Sequence, residues 1–227
     1  PCSVQVHPDG AYAKKYENDF GKAEFCLWLD VEKGTKIIRG HTAKTKEEFR
    51  KAIENKEWDT LFIRKPVHAN EFVYTPAGTV HGIEGQLMMA EVQQSSDVTY
   101  RIYDYDRKDA NGNTRELHID KACNVTNIPH REPEISLNVT LVQGNEVIEY
   151  VNTEYFRVTR YKIEEEITIQ NSRYSLCLPL SGNGVLNING VDYDIHAGIG
   201  FIVTSGVKVY SIKGNVDLLV SEPPKEK

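Results

Sequence analysis

Residues 3–7 (S-V-Q-V-H) alternate polar and apolar, which predicts a strand with Ser3, Gln5 and His7 on one face and Val4 and Val6 on the other. Pro8 follows, and a short helix is expected over residues 11–16, closed near Gly21. Residues 22–30 read as the next strand, with Lys22, Glu24 and Cys26 sharing a face, and residues 36–40 as a short apolar strand after a Gly34-Thr35 turn. Thr45-Lys-Glu-Glu48 is a capping box that opens a helix to about Lys56, with Phe49, Ala52 and Ile53 on its inner face. Trp58, Leu61, Phe62 and Ile63 are expected to pack that helix against the body. Residues 72–74, 86–94 and 98–105 read as strands, and residues 66–101 together as a hairpin around the turn Pro76-Ala-Gly78. Asp109-Ala-Asn-Gly-Asn113 is a turn cluster, residues 119–124 one helical turn, and residues 129–133 a linker.

Beyond the linker come ten short apolar segments between residues 136 and 221, punctuated by Gly182, Gly184, Gly190, Gly198, Gly206 and Gly214. Such spacing predicts a β-sandwich or barrel. The tail, residues 223–227, is charged and expected to fray. Residues 70–81 can be laid against residues 198–208 as a weak internal repeat, whose second copy lacks the histidine after the turn. The organisation expected is two tandem β-domains, residues 1–130 with a helical insertion at about 45–57 and residues 131–222, only the first carrying polar ligands.

Composition narrows the function classes. The chain has 227 residues, 40% hydrophobic and 26% charged, with a net charge of −6 and no basic block, which argues against a nucleic-acid or anionic-membrane surface. No apolar run approaches the roughly 18 residues of a membrane span. Cys2, Cys26, Cys123 and Cys177 lack metal or redox spacing, so they read as reduced thiols of a cytoplasmic protein. The first residues already carry a strand pattern, so the sequence is expected to be a piece of a longer chain.

Candidate chemistry clusters in the first half. Gln5 and His7 share a strand face, Glu24 lies on the next strand, and His81 follows the Pro-x-Gly turn. Two histidines and a glutamate suit Zn²⁺, with a Gln carbonyl as a weaker fourth donor; equally, the histidines could be hydrogen-bonded barrel residues. Lys22, Glu91 and Arg101 could face an anionic ligand and move protons, or form salt bridges along a barrel wall. Arg101 and Arg107 could grip a phosphate, while Arg107 could instead pair Asp104 or Asp106.

Five motifs in order, Val4-Gln-Val-His-Pro-Asp9, Gly21-Lys-Ala-Glu24, Pro76-Ala-Gly-Thr-Val-His81, the run from Glu91 to Arg101 and Tyr103-Asp-Tyr-Asp-Arg107, resemble type I phosphomannose isomerases in their short bacterial form. The resemblance implies a mainly β, cupin (jelly-roll) fold, with two such domains in tandem and one bound zinc. It implies interconversion of mannose 6-phosphate and fructose 6-phosphate through an enediol. Carried over by motif, Gln5, His7, Glu24 and His81 would hold the zinc, Arg101 would be catalytic, Glu91 and Lys22 would orient substrate or move protons, and Ser3 and Arg107 would meet the phosphate. It also implies a segment ahead of Val4 that contributes strands to the first barrel. The partner expected is a small sugar phosphate, with neither nucleic acid nor membrane, on a monomer or homodimer. The alternatives are a non-catalytic cupin that binds a sugar or metabolite, and another metal-dependent cupin sugar isomerase.

Overall fold

The computed structural model describes residues 2–224; residues 225–227 of the tail expected to fray lie outside them. The chain divides into two compact units between Glu134 and Ile135.

In chain order the first unit contains β1 (Val4–Val6), α1 (Gly10–Tyr16), β2 (Glu24–Val31), β3 (Lys36–His41), α2 (Lys46–Glu54), α3 (Trp58–Leu61), β4 (Phe62–Pro66), β5 (Phe72–Thr75), β6 (His81–Glu84), β7 (Leu87–Gln93), β8 (Tyr100–Tyr103) and α4 (Ile119–Val125). Its strands form two antiparallel sheets, β4-β3-β6-β1-β8 and β5-β2-β7. The five-stranded sheet has two different faces. Val4, Val6, Ile38 and Ile102 project into a buried cluster with Phe49 and Ile53 of α2 and Ala122 of α4. Full burial of a side chain such as Phe49 contributes about 2–3 kcal/mol. The opposite face carries the intervening residues of each strand and looks onto the three-stranded sheet. Helix α2 starts as its capping box dictates: Thr45 Oγ1 accepts from Glu48 N at 3.2 Å. The Glu48 carboxylate reaches one residue further back, accepting from Lys44 N at 2.7 Å.

The second unit contains β9 (Asn138–Val142), β10 (Asn145–Asn152), β11 (Arg157–Ile163), β12 (Glu166–Gln170), β13 (Ser175–Ile188), β14 (Val191–His196), β15 (Phe201–Val203) and β16 (Val209–Glu222). They pair in the order β14-β13-β16-β11-β10-β9, with β12 on β16 and β15 on β13. Ile163, Ile167, Ile212, Val216 and Leu218 fill its core.

Three sequence expectations change. Residues 66–101 are not one hairpin: β5 and β7 flank β2, while β6 lies between β3 and β1 in the other sheet. Residues 129–133 are not a free linker, because Glu132 accepts from Arg39 Nε at 2.6 Å and pairs with Lys65. The His130 ring fills the space where a side chain on Gly40 (φ +87°) would stand. Finally, Gly182, Gly184 and Gly214 do not end strands. They sit inside the long pair β13 and β16, with Gly184 opposite Gly214. A Cβ on Gly184 would lie 2.6 Å from the Lys213 carbonyl oxygen, so the missing side chain lets two backbones close up. The two copies of the weak repeat do share a shape. Each is a strand, a turn and a strand, with Thr79 N donating to Pro76 O at 3.2 Å in one and Val207 N to Thr204 O at 3.1 Å in the other.

Candidate metal centre and its cavity

Strand alternation builds the site. The cavity between the two sheets is lined from one side by Ser3, Gln5, Ile37, Arg39, His81 and Ile83, and from the other by Glu24, Cys26, Trp28, Val73, Thr75, Met89 and Glu91. Most of the lining residues lie two apart on their strands, the signature of an inward face, while Cys2, Ile38 and Gly82 border the cavity between them. Lys22, just ahead of β2, completes the wall.

At one end the donors converge. His7 Nε2 lies 3.2 Å from Glu24 Oε1, and His81 Nε2 lies 3.3 Å from Glu24 Oε2. Gln5 Nε2 is 3.5 Å from His7 Nε2 and 3.4 Å from His81 Nε2. The ligand atoms of His7, Glu24 and His81 all lie within 4.8 Å of one another. Each imidazole is fixed from behind. His7 Nδ1 donates to Val98 O at 2.8 Å, and His81 Nδ1 donates to Thr79 O at 2.9 Å. A neutral ring whose Nδ1 carries the proton presents a bare lone pair at Nε2.

The charges follow from this crowding. Burial pushes His7 down, with the charge of His81 adding to it and the Glu24 hydrogen bond opposing it. Burial opposes protonation of His81 as well, but there the Glu24 hydrogen bond and charge win and raise it. Glu24 is 5% exposed; burial alone would raise its carboxyl, yet hydrogen bonds from His7 and His81 hold it well below the usual carboxylate range. With only Nδ1 protonated, two imidazole lone pairs and a buried carboxylate would point at one another, so either an Nε2 proton, the source of the hydrogen bonds to Glu24, or a cation must lie among them. The donor set therefore fits a divalent metal. The Gln5 amide, bonded to Ser3 Oγ at 3.1 Å, offers oxygen to the same point after a half-turn of its head, and the Ser3 hydroxyl can then accept instead of donate.

The other expected site residues stand as follows. Lys22 Nζ is 3.3 Å from Glu24 Oε1. Glu91 stands opposite Cys26 in register and takes a contact from its Sγ at 3.7 Å. Loss of water within the cavity raises the Glu91 carboxyl, and the neighbouring charge of Glu24 raises it further. Arg101 stands directly opposite Gln5 on β8, but its Nη1 donates to Glu116 O at 2.8 Å and it is not among the cavity's lining residues. Its Nε is buried with no partner. Arg107 is turned away onto Asp104, which also holds Arg115. Among the remaining histidines, His118 accepts from Arg101 N at 3.2 Å and His41 bonds Asn127 O at 3.0 Å.

Sequence reasoning missed Arg39. It lines the cavity opposite His81 and is 8% exposed. The signal was present, since alternation in residues 36–40 places Ile37 and Arg39 on one face. The four cysteines are free, Cys2 exposed and the others buried, and no helix among the described residues is long and apolar enough to cross a membrane.

With this geometry in hand, comparisons with known proteins are specific. A sequence model of the family "Mannose-6-phosphate isomerase, cupin domain" matches residues 146–223, so the second unit carries a cupin domain. The chain is 40% identical to "Probable mannose-6-phosphate isomerase GmuF" of Bacillus subtilis over 97% of its own length and 71% of that protein. It is 37% identical to the mannose-6-phosphate isomerase of Streptococcus mutans, over 96% of the chain and 69% of the relative. Its fold superimposes on the crystal structure of the mannose 6-phosphate isomerase from Bacillus subtilis with a TM-score of 0.93 at 34% identity, covering 97% of this chain and 71% of that one.

Proposed function

Because the chain belongs to the mannose-6-phosphate isomerase family, we propose that its cavity binds one zinc ion through Gln5, His7, Glu24 and His81 and interconverts mannose 6-phosphate and fructose 6-phosphate through an enediol. The observation that carries this reading is the convergence of two Nε2 lone pairs and a buried carboxylate at one end of a cavity that also presents Lys22 and Glu91. Family membership makes the chain an enzyme, so a purely sugar-binding cupin is set aside. The facing sheets of the first unit support reading it as a second cupin. Zinc at this donor set supplies Lewis-acid polarisation of substrate oxygens.

The protein groups divide the rest of the work. Isomerisation takes a proton from one carbon and returns it to its neighbour. Glu91, whose carboxyl burial and the charge of Glu24 raise above the usual carboxylate value, suits a group that must first accept and then donate. Lys22, held against Glu24, keeps a cation beside the reacting oxygens. Arg101, next to Gln5 and with one buried N–H unpartnered, is suited to the negative charge that builds on the enediolate. Ser3 steadies Gln5, and Arg107, bound to Asp104, acts on substrate phosphate only by leaving that pair. A small sugar phosphate is the partner, the state a monomer or homodimer, and free thiols suit a cytoplasmic location.

The test is metal analysis joined to a mannose 6-phosphate isomerase assay on this chain. A chelator should abolish turnover and zinc should restore it. Full activity in protein shown to be metal-free would overturn the reading.

A further inference from the structure

The strand registers put four residues of the candidate site in a single cross-strand row. Arg39 on β3 is opposite His81 on β6, His81 is opposite Gln5 on β1, and Gln5 is opposite Arg101 on β8. Residues opposite one another in antiparallel strands project to the same face, and successive strands are about 4.8 Å apart. Arginines therefore stand at both ends of the row, with two of the metal donors between them.

Arg39 differs from Arg101 in how it is held. Its Nε donates to Glu132 Oε2 at 2.6 Å and its Nη2 to the Tyr74 carbonyl at 3.0 Å. The other terminal nitrogen, Nη1, makes no hydrogen bond with the protein and is not buried without a partner. An arginine that is 8% exposed, fixed on two of its three nitrogens and lining the cavity, can present the third to a bound molecule. Lys22, the other cavity cation outside the imidazoles, is engaged with the donor Glu24. Arg107, the arginine expected for a phosphate, lies outside the lining on Asp104.

We propose that Arg39 binds the anionic end of the substrate, the phosphate of the sugar phosphate, at the opposite end of the row from Arg101. This rests on the isomerase reading above. A sugar 6-phosphate carries its reacting carbons and its phosphate at opposite ends. The row offers the matching arrangement, donors and Arg101 for the reacting end and a preset guanidinium for the charge-assisted grip. Glu132 and the Tyr74 carbonyl hold that guanidinium in place before substrate arrives, so little side-chain entropy is lost on binding.

The experiment compares the parent with Arg39→Met, Glu132→Gln and the double variant Arg39→Met/Glu132→Gln, which leaves no unpaired buried charge should Arg39→Met alone misfold. Zinc content, kcat and KM for mannose 6-phosphate are measured, and inorganic phosphate serves as competing probe. Arg39→Met and the double variant should raise KM at least tenfold, weaken inhibition by phosphate in parallel, and keep zinc content and leave kcat within about threefold. Glu132→Gln, which keeps an acceptor for Arg39 while removing a negative charge, should lower KM. A KM in the double variant within twofold of the parent overturns the proposal, as does a Glu132→Gln variant whose KM rises as far as that of Arg39→Met. If the parent binds mannose 6-phosphate calorimetrically but does not isomerise it, the isomerase reading falls. Loss of that binding in the double variant then still supports Arg39, and retained binding overturns it.

Discussion

Asp104, immediately after β8, offers a quantitative test of how the arm carrying Arg101 is held. Its carboxylate is 6% exposed and accepts hydrogen bonds from both Arg107 and Arg115. The hydrogen bond from Arg115 is the main cause that brings its carboxyl from 3.8 down to about 2, against a smaller upward push from burial, with Arg107 adding to the drop. At about 1.4 kcal/mol per pH unit, that difference bounds the charge's contribution at about 2.5 kcal/mol. The two guanidiniums are 38% and 50% exposed, so water screens them and about 1–2 kcal/mol is the value to expect. Asp104→Asn should therefore destabilise the first unit by that amount at pH 7. The sign is fixed by linkage: a carboxyl depressed in the folded state stabilises fully above its unfolded value and loses that stabilisation as pH falls through its folded value. The gap between parent and variant should narrow from pH 4 downward and close near pH 2. Both tryptophans, Trp28 and Trp58, lie in the first unit, so urea titration followed by tryptophan fluorescence reads the relevant transition. A gap that is absent at pH 7, or that stays constant down to pH 2, would refute the assignment of stability to this carboxylate.

Two further outcomes are expected. Arg101→Ala should lower turnover by about two to three orders of magnitude, the usual loss on deleting one preorganised charge stabiliser, with zinc content unchanged; unchanged turnover would remove its assigned role. Gly184→Ala should cost about 1–3 kcal/mol, because its Cβ would meet the Lys213 carbonyl oxygen at 2.6 Å and Val216 Cγ2 at 2.7 Å. Circular dichroism on heating should show the lower midpoint, and a parent-like midpoint would mean that β13 and β16 have room to spare.

How much of this could be read from sequence follows the range of the interactions. The parity of residues 3–7 and 22–26 pointed one way in the sequence and does so in space, because alternation is local to a strand. The Thr45 cap needed only its own neighbourhood. Sheet partnership was another matter. Nothing within residues 66–101 says that β6 leaves its sequence neighbours to join β1 and β3, a choice made by side chains far apart in the chain. Arg39 was overlooked for the same reason, since its partner Glu132 lies 93 residues away in a stretch whose prolines read as a linker. The glycines of the second unit misled because close backbone approach and strand ending leave the same mark on a sequence, and only the opposing Gly214 distinguishes them.

The three-residue strand β1 has one more consequence. Its even-numbered residues Val4 and Val6 belong to the core, and its odd-numbered neighbours Gln5 and His7 belong to the proposed donor set. Point changes at odd positions vary the chemistry while leaving the valine packing in place, and changes at even positions do the reverse. A single-residue insertion or deletion does both at once, delivering valines to the cavity and a histidine to the core. In this strand evolution can therefore explore catalysis and stability separately by substitution, while changes of length are closed to it.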